Sequence, residues 1–438
     1  MTPHRGRLAV RGEIVHFTGD PVVQGDRACV HYTDGILIVD DGLVVETGAA
    51  AALLPQLAAD QPVIDRRGKM LMPGFIDTHV HYSQVDVIAS FGEQLLDWLE
   101  RFTFPVERGF DDPVRAAEAS KFFIDELLKN GTTTAAVYAT VHPQSVDAFF
   151  TEAKARNLRM ATGKVLMDRN CPEYLRDTAQ TGYDQSAELI RRWHGSGRLS
   201  YAVTPRFAPT STENQLELAG RLLEEHPGVL LQSHVAENRG EMAWVAELYP
   251  WSRSYLDVYR RFGMVGEGSV FAHCIHLDDD DRRIMADAGA AMSFCATSNL
   301  FLGSGLFDLR AANDLGITVG IGTDVGGGTT LNMLRTLAEC YKVAHLRDHV
   351  MTPKHAFYLA TLGGARTLRV DGRIGSFEKG READFIVLDT DATQLQARRN
   401  MSATTLDERL FALMMLGDDR SIAETYVMGS VAWQRGQR

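Results

Sequence analysis

The sequence predicts an α/β protein: a closed (β/α)8 barrel carrying a small β-sandwich that both chain ends build together. Three observations point there. Eight apolar, strand-like runs begin at Gly74, Thr132, Arg159, Leu199, Val229, Ser269, Ala290 and Ile317, with helical patterns between most of them. β-rich segments lie at the two ends of the chain, outside this alternation. Ionisable side chains close several of the apolar runs, and strand ends are where a barrel gathers its active site. The sandwich is expected over 1–70 and 371–438 and the barrel over 71–370.

The amino-terminal segment is read as Leu8–Phe17 in one strand, then Gly35–Val39 and Leu43–Glu46 joined through Asp40-Asp41-Gly42, a hairpin signal. A helix is expected near Ala49–Ala59 and a further strand leading into Pro73. At the other end, Ala383–Leu388 and Thr425–Val431 each read as one strand. Within the barrel, helical patterns cover Val114–Lys129, Glu213–Glu225 and Asp278–Ala288. Lys129-Asn130-Gly131 and Asp287-Ala288-Gly289 supply helix stops. Val85–Asp112 interrupts the alternation after the first barrel strand, and its aromatic residues suit either a cover over a catalytic mouth or a helical excursion packed on the rim. An open doubly wound sheet would want a phosphate loop, but Gly320-Ile321-Gly322 comes late and lacks the G-x-G-x-x-G spacing.

Composition narrows the function. The chain has 438 residues, a net charge of −12 and no dense Lys/Arg run, which argues against a nucleic-acid partner and favours a small substrate. No apolar run reaches the ~18 residues of a membrane span, and no apolar signal region follows the amino terminus. Five scattered cysteines without a C-x-x-C pair read as reduced thiols, hence a cytoplasmic protein.

His79 and His81 sit two residues apart at the end of the first barrel run, so in a strand both imidazoles face one way. Later runs end in Arg206, in His234 with Glu237 three residues on, in His273 and in Asp324. Ionisable groups at the ends of apolar strands are costly to desolvate unless they are paired or bind a cation. One such residue would be a structural hydrogen bond; five strands in register make a mononuclear metal site. His79, His81, His234 and Asp324 form an N/O set that suits Zn²⁺ or Fe²⁺, one per chain. Such a site acidifies a bound water from 15.7 to about 7. Glu237 is placed to move protons beside it, against the plainer reading of an exposed Glu opening a helix. His273 is either a further imidazole ligand or a donor to the developing oxyanion. His276, His345, His349 and His355 read as ordinary residues away from the chemistry. Zincin, cysteine-ligated deaminase, nucleophile-elbow and Walker motifs are absent.

Pro73-Gly-Phe-Ile-Asp-Thr-His-Val-His81, His234-Val-Ala-Glu237, Ala272-His273, Gly322-Thr-Asp324 and the stretch 375–385 together resemble the amidohydrolase superfamily. Within it, His81-Tyr-Ser-Gln84, Arg206-Phe207, the run 234–241, Ser298–Phe307 and Gly326–Met333 are similar to guanine deaminases. The resemblance implies hydrolytic deamination of guanine to xanthine and ammonia, in purine catabolism or salvage. It places His79, His81, His234, His273 and Asp324 at the metal, and gives the catalytic roles to Glu237, His273 and Asp324. It also implies purine contacts from Gln84, Arg206 and Phe207, alongside His81, His234, Glu237 and Asp324, and a homodimer. One departure is Cys295-Ala296-Thr297, where the family pattern leads one to expect Cys-Pro-Thr.

Three other readings compete. A related aminopurine such as 8-oxoguanine would use the same metal chemistry. A binuclear cyclic-amide hydrolase would want a carboxylated Lys at the end of the fourth strand, where this chain has Arg206, and Lys164 on the third strand is a poor substitute. A barrel kept as a scaffold needs neither the metal positions nor Glu237.

Overall fold

Asp41 and Gly42 both adopt left-handed backbone (φ 46° and 80°), the two-residue turn whose twist matches that of paired strands. They join β2 (Cys29–Asp40) to β3 (Leu43–Ala49), while β1 (Arg7–Phe17) pairs with the other edge of β2. The computed structural model describes residues 6–91 and 94–436. β4 (Val63–Pro73) runs parallel to β1, and β14 (Phe385–Leu388), near the far end of the chain, pairs antiparallel with β4 so that Phe385 lies opposite Pro73. With β15 (Ile422–Val427) and β16 (Ser430–Gln434), the order is β16-β15-β14-β4-β1-β2-β3.

This sheet folds back on itself. Val44 N donates to Arg381 O and Ala383 N to Gly42 O, both at 2.8 Å, which lays the β2–β3 hairpin against the chain entering β14. Leu8, Val10, Leu37, Val39, Leu71, Phe385 and Tyr426 fill the interior, with the last two rings stacked 4.2 Å apart. Both ends of the chain thus share one sandwich core, where burying each large apolar side chain contributes roughly 1.5–3 kcal/mol.

Between the two halves of the sandwich lie the parallel strands β5 (Phe75–His81), β6 (Thr132–Tyr138), β7 (Arg159–Gly163) with its short continuation β8 (Val165–Leu166), β9 (Ser200–Pro205), β10 (Leu230–Val235), β11 (Ser269–His273), β12 (Ala291–Phe294) and β13 (Val319–Ile321). All seven residues of β5 and of β6 are buried, as expected where helices cover one face and the barrel interior the other. The ring closes just past the strand ends: Asp324 N donates to His79 O and His81 N to Val325 O, each at 2.8 Å. The helices follow the sequence signals. Asp112 caps Pro113–Lys129, Asp278 caps Asp279–Ala288, and Gly289 ends the latter with φ 71°.

Two local expectations change, and one open choice is narrowed. The helix near Ala49–Ala59 shrinks to Ala50–Leu53 and a 3₁₀ turn at Leu54–Gln56, because Pro55 has no N–H to carry the α-helical hydrogen-bond ladder forward. The strand read as Thr425–Val431 is a hairpin: Met428 (φ 48°) and Gly429 (φ 74°) turn β15 into β16. The insertion after β5 is helical, with Tyr82–Val87, Leu95–Trp98, a π-turn at Leu99–Thr103, Phe104–Glu107 and Arg108–Asp111. Gly92 and Glu93, within that stretch, lie outside the described residues. Among the described residues no helix is long and apolar enough to cross a membrane.

Candidate active site

The carboxyl ends of the barrel strands bring the expected residues together. His79 and His81 end β5, His234 lies in β10, and Asp324 follows β13. Each offers one ligand atom, all within 4.8 Å of one another. Close backbone approach makes this possible: a Cβ on Gly322 would fall 2.9 Å from His79 Cβ and 2.6 Å from Ser293 Oγ, so only glycine fits two residues before Asp324. Asp324 (φ 51°) and His273 (φ 71°) hold left-handed backbone without being glycine, strain of the kind that clusters at functional sites.

Buried Asp77 ties the two sides of the closing seam. Its carboxylate accepts from His79 N (3.2 Å), from Thr323 N (3.0 Å) and from the Thr323 hydroxyl. Burial pushes its carboxyl up to about 6, against the pull of those donors.

The donor set fits a divalent cation. His234 Nδ1 lies 2.6 Å from Arg206 O, so it carries the proton there, and Nε2 is left with a lone pair. That Nε2 is only 3.3 Å from His81 Nε2. Two imidazole nitrogens facing each other at that distance make sense when both aim at a shared ion. His79 Nε2, 3.1 Å from Asp324 Oδ1, is buried without a hydrogen-bond partner. Burial pushes His81 down to about 4; burial and the neighbouring imidazoles hold His234 well below the usual histidine range. Burial opposes the charge on Asp324, yet the surrounding histidines outweigh it and keep its carboxyl well below the usual range. Neutral imidazoles and an ionised carboxylate are the forms a metal takes.

His273, expected either as a further ligand or as a donor to the oxyanion, lies next to this group of four. Asn299 Nδ2 lies 2.8 Å from its Nδ1, so the amide donates and Nε2 carries the hydrogen. That Nε2 faces Glu237 Oε2 at 3.3 Å and Asp324 Oδ2 at 3.8 Å. A protonated Nε2 has no lone pair for a ligand bond, but it can donate to an oxygen held between these groups.

Glu237 is buried, not an exposed helix opener. The helix Arg239–Leu248 starts after it, capped by Asn238 with Glu241 reciprocating in a capping box. Glu241 Oε2 accepts from Glu237 N at 2.9 Å and from Asn238 N at 3.1 Å, while the Ser304 hydroxyl donates to Glu237 Oε1 at 2.8 Å. Burial, then the charges of Asp324 and Glu241, push the Glu237 carboxyl well above its usual range. A carboxylate whose hold on a proton is strengthened in this way suits a group that takes a proton from water and hands it on.

One cavity opens on these groups, lined by His81, Gln84, Arg206, Phe207, Glu237 and His273, with Leu95, Trp98 and Leu99 of the insertion facing them. The insertion therefore forms part of the pocket wall. Gln84 and Arg206, both expected at the purine, are joined through Glu107: Gln84 Nε2 donates to Glu107 Oε1 (3.0 Å) and Arg206 Nη1 to Oε2 (2.7 Å). Glu107, Asp77, Ser304 and Asn299 were not read as site residues. Ser304 and Asn299 fall in the stretch 298–307 singled out above, whereas Glu107 sits in the insertion without any local signal. His276 lies at the rim, its Nε2 3.0 Å from Ser304 O. Lys164 pairs with Asp177, and Arg206 with Glu107, so neither side chain is free for a second metal. Ala296, where proline was expected, is the first residue of the helix Ala296–Phe301, a position that suits proline. Asn299 N still bonds Cys295 O there at 3.0 Å.

Comparison with known proteins places the chain among its relatives. The Amidohydrolase family model matches residues 70–432. Guanine deaminase of Escherichia coli (strain K12) is 49% identical over 98% of this chain and 98% of its own length. The solved structure of the E. coli guanine deaminase superposes with a TM-score of 0.96, covering 98% of this chain and 100% of that one. A guanine deaminase from C. acetobutylicum, solved with guanine bound in its active site, is 29% identical with a TM-score of 0.89, over 98% and 100% of the two chains. The chain belongs to the amidohydrolase family.

Proposed function

We propose that this protein is a guanine deaminase, hydrolysing guanine to xanthine and ammonia. The observation that carries the reading is Glu237: a buried carboxyl, 3.3 Å from the His273 ring and beside the group of four ligands. A near full-length relative that is a guanine deaminase supports the choice of substrate. His79, His81, His234 and Asp324 would hold one divalent ion, with zinc the expected occupant and iron the alternative. A divalent ion supplies Lewis acidity that brings the pKa of water from 15.7 to about 7.

The chain's own residues handle the rest. Glu237 takes a proton from the attacking water and passes it to the ring nitrogen beside the amino-bearing carbon; it then moves the second proton to the departing amine. Water's oxygen becomes the second carbonyl of xanthine, and both its protons leave with the product and ammonia. His273 Nε2–H donates to the oxygen as charge gathers on it, and Asn299 fixes the ring for that task. Asp324, ionised beside His273, assists the first proton transfer. Arg206 and Gln84 meet the acceptor edge of the base, and Phe207 stacks on its face.

The test is ammonia release from guanine, 8-oxoguanine, adenine and cytosine, with metal content measured on the same protein. Guanine is expected to be the preferred substrate, with one ion per chain. Preference for 8-oxoguanine would move the assignment to a related aminopurine. Two tightly held ions per chain would overturn the mononuclear site, and turnover of none of the four would overturn the activity.

A further inference from the structure

The insertion after β5 reaches into the barrel mouth at one charged point. Glu107 is fully buried, and its two carboxylate oxygens each take a different partner, Gln84 Nε2 and Arg206 Nη1. Phe104, one helical turn earlier, lies under the same guanidinium, its ring centroid 5.3 Å from Arg206 Cζ. The insertion thus grips Arg206 from two sides.

Gln84 is fixed by the same contact. Its Oε1 accepts from Gly326 N at 3.2 Å while its Nε2 donates to Glu107. Turning the amide over would set its oxygen against the carboxylate and its NH₂ against the Gly326 N–H. In the orientation held, Gln84 keeps one further N–H, and Arg206 keeps the N–H groups that Glu107 does not use. Both residues line the cavity. The edge they make is therefore an edge of donors, suited to a base that presents acceptors.

We propose that Glu107 is the positioning residue that sets this donor edge, and so selects a purine carrying an oxygen, rather than an amino group, at the position facing Arg206. The inference rests on the guanine deaminase reading and extends it to the source of base selectivity. In this geometry Gln84 and Arg206 each meet a separate carboxylate oxygen, so both are satisfied where the group between them carries two acceptor atoms. An amide has one, so Glu107→Gln sets an NH₂ against one of the two donors and lets Gln84 turn. Glu107→Asp keeps the charge but is one methylene too short to span both partners.

The experiment compares wild type, Glu107→Gln and Glu107→Asp on guanine and 2,6-diaminopurine, with metal content and thermal midpoint measured alongside. In Glu107→Gln, KM for guanine should rise about tenfold or more while kcat stays within about threefold, the signature of lost ground-state binding. The preference for guanine over 2,6-diaminopurine in kcat/KM should fall by a similar factor. Should Glu107→Gln not fold, the same two quantities in Glu107→Asp decide. Unchanged KM and unchanged selectivity, or a loss of kcat alone that follows metal content, overturn the inference. Failure of the parent reading looks different, since wild type itself would then release no ammonia from guanine.

Discussion

The hydroxyl of Ser304 donates to Glu237 Oε1 at 2.8 Å, across 67 residues of sequence. His276 Nε2 meets the carbonyl of the same serine at 3.0 Å, so the proton carrier is steadied by a residue that is itself anchored from the rim. Ser304→Ala should lower kcat by about 10- to 100-fold, since one fixed hydrogen bond to a charged group is worth about 1.5–3 kcal/mol. Steady-state ammonia release is the measurement; an unchanged kcat would show that Glu237 is held by Glu241 and the backbone alone.

Removing the carrier itself should cost more. Glu237→Gln keeps the shape and the Ser304 contact but cannot shuttle protons, so kcat should fall about 10²–10⁴-fold with metal content intact. Near-normal turnover in a fully metallated Glu237→Gln protein would remove Glu237 from the mechanism.

Metal and fold should be linked. The backbone bonds that close the barrel, Asp324 N to His79 O and His81 N to Val325 O, belong to ligand residues and their neighbour. Chelation should therefore lower the thermal midpoint, and zinc at about 100 times its dissociation constant should restore about 2.7 kcal/mol of stability. Calorimetry of chelated and reloaded protein measures this. Equal midpoints would uncouple the site from the fold.

Acid sensitivity has a source far from the chemistry. His16, buried in the sandwich against Phe377 with ring centroids 5.5 Å apart, accepts from Phe377 N through Nδ1 at 3.4 Å. Burial pushes it down from 6.5 to about 4. Above 6.5 both folded and unfolded chains leave it neutral. Between 6.5 and 4 the unfolded chain takes up the proton first, so stability falls as the pH drops, by up to roughly 3 kcal/mol. His16→Asn keeps an acceptor without the titration and should flatten thermal midpoint against pH over that window. An identical slope in wild type and variant would assign the loss elsewhere.

The parts of the site legible in the sequence were those where strand geometry repeats. His79 and His81 declare themselves because period two puts both on one face, and His234, His273 and Asp324 because each interrupts an apolar run at its end. Arg206 was visible for the same reason. Glu107 was not: it lies in a short helix of an irregular insertion, and its partner Arg206 is 99 residues away. The division of labour at His273 was equally hidden, because it depends on which ring nitrogen Asn299 addresses. In the sandwich, Asp41-Gly42 announced its turn, whereas Met428-Gly429 did not, since methionine rarely takes left-handed backbone.

The bond from Thr323 to Asp77 spans 246 residues of chain. The carboxylate beside the β5 ligands thus takes two of its three donors from the far end of the barrel, so a chain that stops before β13 leaves Asp77 unsatisfied. Contacts this distant in sequence are slow to form. Catalytic competence is thus a property of the closed ring and of no contiguous part of the chain.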